Sequence, residues 1–306
     1  MNKLRLGTRG SQLALWQADK VAAELRGRMP GLEIETVVIK TKGDKILDVA
    51  LSKIGDKGLF TREIENALLA GEVDLAVHSM KDLPSFLAPG LALGAVLQRE
   101  DPRDVLISHR DCTLETLPRN GIVGTSSLRR IAQLKNLRPD LRVTDLRGNV
   151  ETRIRKMAEQ GLDAIILAYA GVVRLGLTVN ITQIISVDQV LPAVGQGAIA
   201  VEIRADDEET AAVIGNINHN PTYFTTLAER AFLRELEGGC QVPIGCLGRI
   251  DDEGLLLEGL IASLDGGVML KDKVSGPIVQ AEEMGRNLAR RLLDQGGREV
   301  LQGIGD

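Results

Sequence analysis

Apolar and polar residues alternate in KLRL (residues 3–6), and the period lengthens to that of a helix after Ser11. The change recurs. EIETVVIK (33–40) reads as a strand, a helix follows Phe60, and VDLAVHS (73–79) and LALGAVL (91–97) read as strands. A second unit repeats this order. GIVGTSS (121–127) leads into a helix through LRRIAQLKNL (128–137), and LRVTDL (141–146) leads into one through VETRIRKMAEQG (150–161). DAIILAYAG (163–171) is apolar enough to be buried on both faces. Strands alternating with helices predict two α/β units with parallel sheets covered by helices. GTRGS (7–11) and GTSS (124–127) join strand to helix at corresponding places in the two units. After about residue 216 the order changes to a helix through TTLAERAFLRELEGG (225–239), strands LLLEGLIASL (255–264) and GVMLKDKVSG (267–276), and a helix through AEEMGRNLARRLLDQ (281–295). This pattern predicts a small α+β third domain.

Between Thr41 and Leu59 both periods fail, and the segment is rich in Gly, Lys and Asp. It predicts either a solvated connection or a mobile lid that carries Lys53 and Lys57 to an anionic ligand. With 306 residues the chain can bury two or three cores. Aromatic residues are only 2%, so those cores must be aliphatic, and stacking platforms for single-stranded nucleic acid are not expected. Cys112, Cys240 and Cys246 are odd in number and form no CxxC pair, which predicts reduced thiols in a cytosol. His78, His109 and His219 are scattered, with no second ligand at metal spacing, so no metal is predicted. The first residues lack the apolar run and cleavage site of a signal peptide, and no apolar run reaches membrane-spanning length. A cytoplasmic protein is therefore expected.

The net charge of −5 argues against a general polyanion binder, but the charge is unevenly spread. From Arg129 to Arg174, eight Arg and two Lys stand against three Asp and two Glu, a local +5. Arg129, Arg130, Arg147, Arg153 and Arg174 fall on several elements, so they form either a carboxylate clamp or a scatter of surface charges paired with Asp140, Asp145 and Glu151. Thr125 and Ser127 stand at a helix start, where they can serve an anion or simply cap the helix. Asp82, flanked by Lys81 and Ser79, follows the strand VDLAVHS in the turn MKDLP, at the strand end where open α/β sheets place ligands. It is either a turn residue or a proton-handling carboxylate. Cys240 lies in the Gly-Gly loop EGGCQVPIG, as an inert thiol or an accessible nucleophile.

HSMKDLP, GTSSLRR, LRGNVETR and EGGCQVPIG occur in this order, joined by LGTRGSQLALWQA, GDKGLFTREIE, REDPRD, DAIILAYAG and LPAVGQGA. Through these segments, from about residue 4 to 246, the chain resembles the porphobilinogen deaminases (hydroxymethylbilane synthases). The resemblance implies two α/β domains like those of periplasmic binding proteins, facing a cleft, plus a small α+β C-terminal domain. Carried onto this chain, domain one is residues 1–97 and 198–215, domain two 98–197 and domain three 216–306. The implied cofactor is dipyrromethane, bound by a thioether to Cys240. The implied reaction joins four porphobilinogen molecules head to tail into hydroxymethylbilane, releasing ammonia at each step.

By the same resemblance Asp82 is catalytic: it contacts pyrrole N–H groups and stabilises the azafulvenium cation formed when the amino group leaves. Lys81, Thr125, Ser127, Arg129, Arg130 and Arg147 match cofactor-binding positions. Arg9, Ser11, Arg147, Arg153 and Arg174 match positions that hold substrate carboxylates, and Lys53 and Lys57 match the lid. A monomer acting on porphobilinogen, without nucleic acid or membrane, is implied. The competing reading is a non-catalytic two-domain module that closes on a small anion.

Overall fold

The computed structural model describes residues 2–45, 58–236 and 242–303. The described residues divide into two compact units, one of 2–45, 58–100 and 197–224, the other of 101–196, 225–236 and 242–303.

In chain order the first unit holds β1 (Lys3–Thr8), α1 (Gln12–Arg28), β2 (Glu33–Val38), the short α2 (Lys42–Lys45), α3 (Arg62–Leu69), β3 (Leu75–Ser79) and β4 (Leu91–Val96). Its sheet has the order β2-β1-β3-β10-β4, where β10 is Ile199–Arg204. Alternation sorts β3 between two layers: Leu75 and Val77 pack with Leu4 and Leu6 against Ala18, Val21 and Leu25 of α1, while Ala76 packs against Ile64, Ala67 and Leu68 of α3. Burying both faces explains why VDLAVHS reads as almost continuously apolar. Because β1 and β3 run parallel, their carboxyl ends deliver Arg9, Ser11 and Asp82 to one edge of the sheet.

The second unit continues with β5 (Asp104–Ser108), β6 (Ile122–Gly124), α4 (Leu128–Leu137), β7 (Arg142–Thr144), α5 (Val150–Glu159), β8 (Ala164–Ala168), α6 (Tyr169–Arg174) and β9 (Gln183–Ile184), in the sheet order β7-β6-β8-β5-β9. After β10 come α7 (Glu208–Ile214) and α8 (Asn220–Glu235). A three-stranded antiparallel sheet follows, formed by β11 (Ile244–Asp251), β12 (Gly254–Ala262) and β13 (Met269–Gly276). Then come α9 (Ala281–Leu292) and α10 (Arg298–Gln302). Glu229 of α8 anchors this third layer to the second: Oε2 accepts from Gly195 N at 2.7 Å and Oε1 from Gly248 N at 2.8 Å. Among the described residues no helix is long and apolar enough to cross a membrane.

The sheets differ from the parallel ones expected. β10 runs antiparallel to β3 and β4, and β5 runs antiparallel to β8 and β9. Neither strand belongs to a strand–helix–strand repeat, so no right-handed crossover forces it parallel. The helix expected over 225–239 starts five residues earlier, at Asn220.

Gly285 of α9 meets α8 so closely that a Cβ there would collide with the Ala228 carbonyl oxygen and lie 2.8 Å from Phe232 N. Gly285→Ala should therefore lower stability by about 1–3 kcal/mol despite the better helix propensity of Ala, read from the urea midpoint.

Candidate active site

At the carboxyl ends of β1 and β3 a recess open to solvent is lined by Arg9, Ser11, Phe60, Thr61, His78 and Asp82, among others. Ser11 caps α1, its hydroxyl accepting from Ala14 N at 3.3 Å, so the helix begins at the recess wall. Beyond β3 the chain makes one 3-10 turn, Met80–Asp82, which buries Met80, half-buries Lys81 and leaves Asp82 exposed. Ser79 is fixed from behind by the Gln17 amide at 2.8 Å. The Arg9 guanidinium lies 4.3 Å from the centroid of the Phe60 ring and donates through Nη2 and Nε to Asp44 Oδ1, at 2.5 and 3.2 Å. Thr41 Oγ1 donates to the other Asp44 oxygen at 2.8 Å. Burial pushes the Asp44 carboxyl up, but Arg9 and Thr41 outweigh it and hold the carboxyl below its ordinary value. Arg9 thus binds a carboxylate supplied by the chain itself.

In the second unit the turn after β6 is braced from within. Thr125 Oγ1 accepts from Ser127 N at 3.3 Å, and the Ser126 hydroxyl donates to Leu146 O at 2.9 Å and accepts from Leu146 N at 3.1 Å. Ser127 occupies the N-cap of α4, yet its hydroxyl makes no capping bond, so simple capping does not account for it. The Leu146 bonds draw the LRGN loop against this turn. On that loop Arg147 is mostly buried, with Nε and Nη2 lacking a hydrogen-bond partner among the described residues and Asp145 Oδ2 3.8 Å from Nε. Arg153 Nε donates to Gly148 O at 2.8 Å, and Arg174 lies in the last turn of α6.

Arg129 and Arg130 are not surface charges. Both side chains are buried and share Asp104, whose Oδ2 and Oδ1 accept from their Nη2 atoms at 2.8 and 2.7 Å. Arg129 Nη1 donates to Leu191 O and Arg130 Nη1 to Ile166 O, while the Gln196 amide adds a bond of 2.8 Å to Asp104. Burial pushes the Asp104 carboxyl up, but the two guanidiniums and Gln196 more than offset that, leaving it well below the carboxylate range. Two cations against one anion leave a buried surplus of one positive charge, and among the described residues the Nε of each Arg has no hydrogen-bond partner. Together with the orphaned donors of Arg147, this donor set fits a group rich in carboxylates such as dipyrromethane, whose pyrroles carry acetate and propionate arms.

The structure therefore gathers Arg9, Ser11 and Asp82 in the recess and sets Lys81 beside it, and it ties Thr125 and Ser127 to the turn that leads to Arg129 and Arg130. Cys240, Lys53 and Lys57 lie outside the described residues. Sequence reasoning missed Asp104 and Gln196, although both lie in motif segments, REDPRD and LPAVGQGA. Asp104→Asn strands two buried guanidiniums, with an expected loss of about 3–5 kcal/mol near neutrality. The folded value of this carboxyl lies below its unfolded value of about 4, so its contribution is present above that pH and lost as pH falls through the folded value. Urea titrations should accordingly show the wild type converging on the variant in acid.

Residues 4–212 match the family description "Porphobilinogen deaminase, dipyromethane cofactor binding domain", and residues 223–294 match "Porphobilinogen deaminase, C-terminal domain". A porphobilinogen deaminase of Syntrophomonas wolfei is 60% identical over 305 residues, 98% of each chain. That of Moorella thermoacetica is 55% identical over 304 residues, 99% of this chain and 97% of that one. In structure, the periplasmic aliphatic sulphonate binding protein SsuA from Escherichia coli aligns at a TM-score of 0.42 and 17% identity, covering 78% of this chain and 71% of that one. With both family descriptions matched and full-length relatives more than half identical, the chain belongs to the porphobilinogen deaminase family.

Proposed function

We propose that this chain is the transferase that condenses four porphobilinogen molecules into hydroxymethylbilane on a dipyrromethane primer. The observation that carries the reading is the buried cationic surplus around Asp104, joined to the Arg147 donors that no described residue hydrogen-bonds, within a chain of this family. Each substrate brings two carboxylates, so a growing chain needs fixed cations already desolvated and aimed. When bound, dipyrromethane supplies the pyrrole carbon that the incoming substrate alkylates. Arg129, Arg130, Arg147, Thr125, Ser127 and Lys81 would hold its carboxylates. Cys240 would carry its thioether, and Cys246, buried in β11, is unsuited to that role.

In the recess Arg9 and Ser11 would orient substrate carboxylates, with Arg153 and Arg174 serving the same purpose in the second unit. Lys53 and Lys57 would cover the site. Asp82 accepts hydrogen bonds from the pyrrole N–H. As the C–N bond breaks, ammonia leaves with the electron pair, and the carboxylate stabilises the cation left on the substrate. After the new C–C bond forms, Asp82 receives the proton released from the ring carbon. Four such steps followed by addition of one water yield hydroxymethylbilane and four ammonia. Two α/β domains (1–97 with 198–215, and 98–197) and a cofactor-bearing third domain (216–306) complete the reading. A cytoplasmic monomer is favoured, with the free thiols Cys112 and Cys246 in keeping with a reducing compartment and the net charge of −5 disfavouring nucleic acid.

The denatured intact mass of the purified protein should exceed the sequence mass by two porphobilinogen units less two ammonia, and Cys240→Ser should lose that excess. A bare mass that porphobilinogen and hydroxymethylbilane both fail to raise would favour the anion-binding module. Asp82→Asn should keep fold and cofactor mass while turnover falls about 10²–10⁴-fold, as loss of a proton-transfer group costs. Near-normal turnover would remove Asp82 from the chemistry.

A further inference from the structure

Gln133 of α4 is fully buried, carries a polar side chain and has no part in the proposed reaction. Its amide closes on a single residue of the chain that follows β9. Oε1 accepts from Leu191 N at 2.7 Å, and Nε2 donates to Leu191 O at 3.1 Å. Nε2 also donates to Arg129 O, one turn back in α4, at 3.3 Å. A planar group that offers one acceptor and one donor to both backbone groups of Leu191 fixes the rotation of that residue as well as its place.

Leu191 is a junction. Its carbonyl accepts a second bond, from Arg129 Nη1 at 2.7 Å, so this guanidinium is held between Asp104 and Leu191, and its direction depends on where Leu191 stands. The strand β11 passes against the same residue. A Cβ on Gly245 would lie 3.1 Å from Leu191 O and 3.2 Å from Pro192 O, so any larger residue there needs a shift. Cys246 N donates to Pro192 O at 3.0 Å. Gly245 is the last residue of EGGCQVPIG and Leu191 the first of LPAVGQGA, so the two motifs meet here. Farther along the second motif, Gly195 N is held by Glu229, and the Gln196 amide by Asp104.

We propose that Gln133 is a positioning residue: by clasping Leu191 it sets the direction of Arg129 relative to β11, the strand that begins four residues after Cys240. In the transferase reading, on which this inference rests, Arg129 holds a carboxylate of the primer and Cys240 its covalent end. The pyrrole carbon that is alkylated is in place only when both ends are. Gln133 itself touches neither primer nor substrate and acts through Leu191.

The test compares full-length wild type, Gln133→Met, Gly245→Ala and Asn136→Ala, each incubated with hydroxymethylbilane to load the cofactor. Gln133→Met keeps the volume and removes the clasp, and Gly245→Ala displaces Leu191 from the side of β11. Asn136→Ala is the control, because Asn136 Nδ2 donates to Gly266 O at 3.0 Å, an amide bond from α4 to the third layer that does not involve Leu191. The denatured mass gives the loaded fraction and the enzyme species carrying successive substrate units; kcat and KM are taken per loaded molecule. Gln133→Met and Gly245→Ala should load more slowly and lower kcat about 10–10²-fold, the upper figure being the cost of a misplacement of about 1 Å. KM should change less than kcat, since Arg9 and Ser11 still hold the substrate. Asn136→Ala should lower the urea midpoint and leave kcat per loaded molecule unchanged. Failure of folded Gln133→Met to load, with Asn136→Ala loading normally, would support the proposal equally. Wild-type loading and kcat in folded Gln133→Met would overturn it, as would a fall of kcat in Asn136→Ala as large as that in Gln133→Met. If Gln133→Met does not fold, Gly245→Ala decides against the same control. A wild type that leaves porphobilinogen unconsumed sinks the transferase reading, and the proposal with it.

Discussion

The carboxylate of Asp104 fixes the second unit around the turn that leads into α4. It stands at the start of β5 with no exposed surface, and its two oxygens face two guanidiniums from one turn of α4. Those guanidiniums reach on to carbonyls of β8 and of the segment before Gln196, so strand, helix and connecting chain are locked to a single charge. A buried ion cluster of this kind is a poor source of stability compared with an apolar core of the same volume. Its value lies in direction. The surplus cation is held by parts that cannot turn away, whereas a surface arginine would lose most of its strength to water and salt.

The two strand-to-helix turns solve a similar problem in different ways. GTSS is braced by the Leu146 backbone, which draws the arginine-bearing LRGN loop to it. GTRGS places its own cation, Arg9, over Phe60, where Asp44 neutralises it. A ligand carboxylate arriving at Arg9 must therefore displace an internal one, and the affinity it gains is the difference between the two contacts. Positive charge is kept local in a protein that is acidic as a whole.

Much of this was legible in the sequence because burial leaves a periodic trace. The helices after Ser11, Phe60 and Gly124 and the strands ending in HS and LA follow directly from it. β5 and β10 were not legible as antiparallel. DVLIS and IAVEIR have the composition of buried strands, but direction depends on how the chain arrives, which no local pattern records. The site divides the same way. Asp82 and the Arg set stood out by residue type and motif, whereas Asp104 was hidden in the polar run REDPRD, 25 and 26 residues from the two arginines it pairs with.

The place of β10 has a consequence for how the protein is made. It lies between β3 and β4, yet just over a hundred residues separate it from β4 in the chain. On the ribosome, at about 5–20 residues per second, the early strands must wait several seconds for their central partner to emerge. During that interval the edges of β3 and β4 are open to pairing with other nascent chains. A chaperone that shields this half-built sheet should raise the yield of native protein more than one that acts after release.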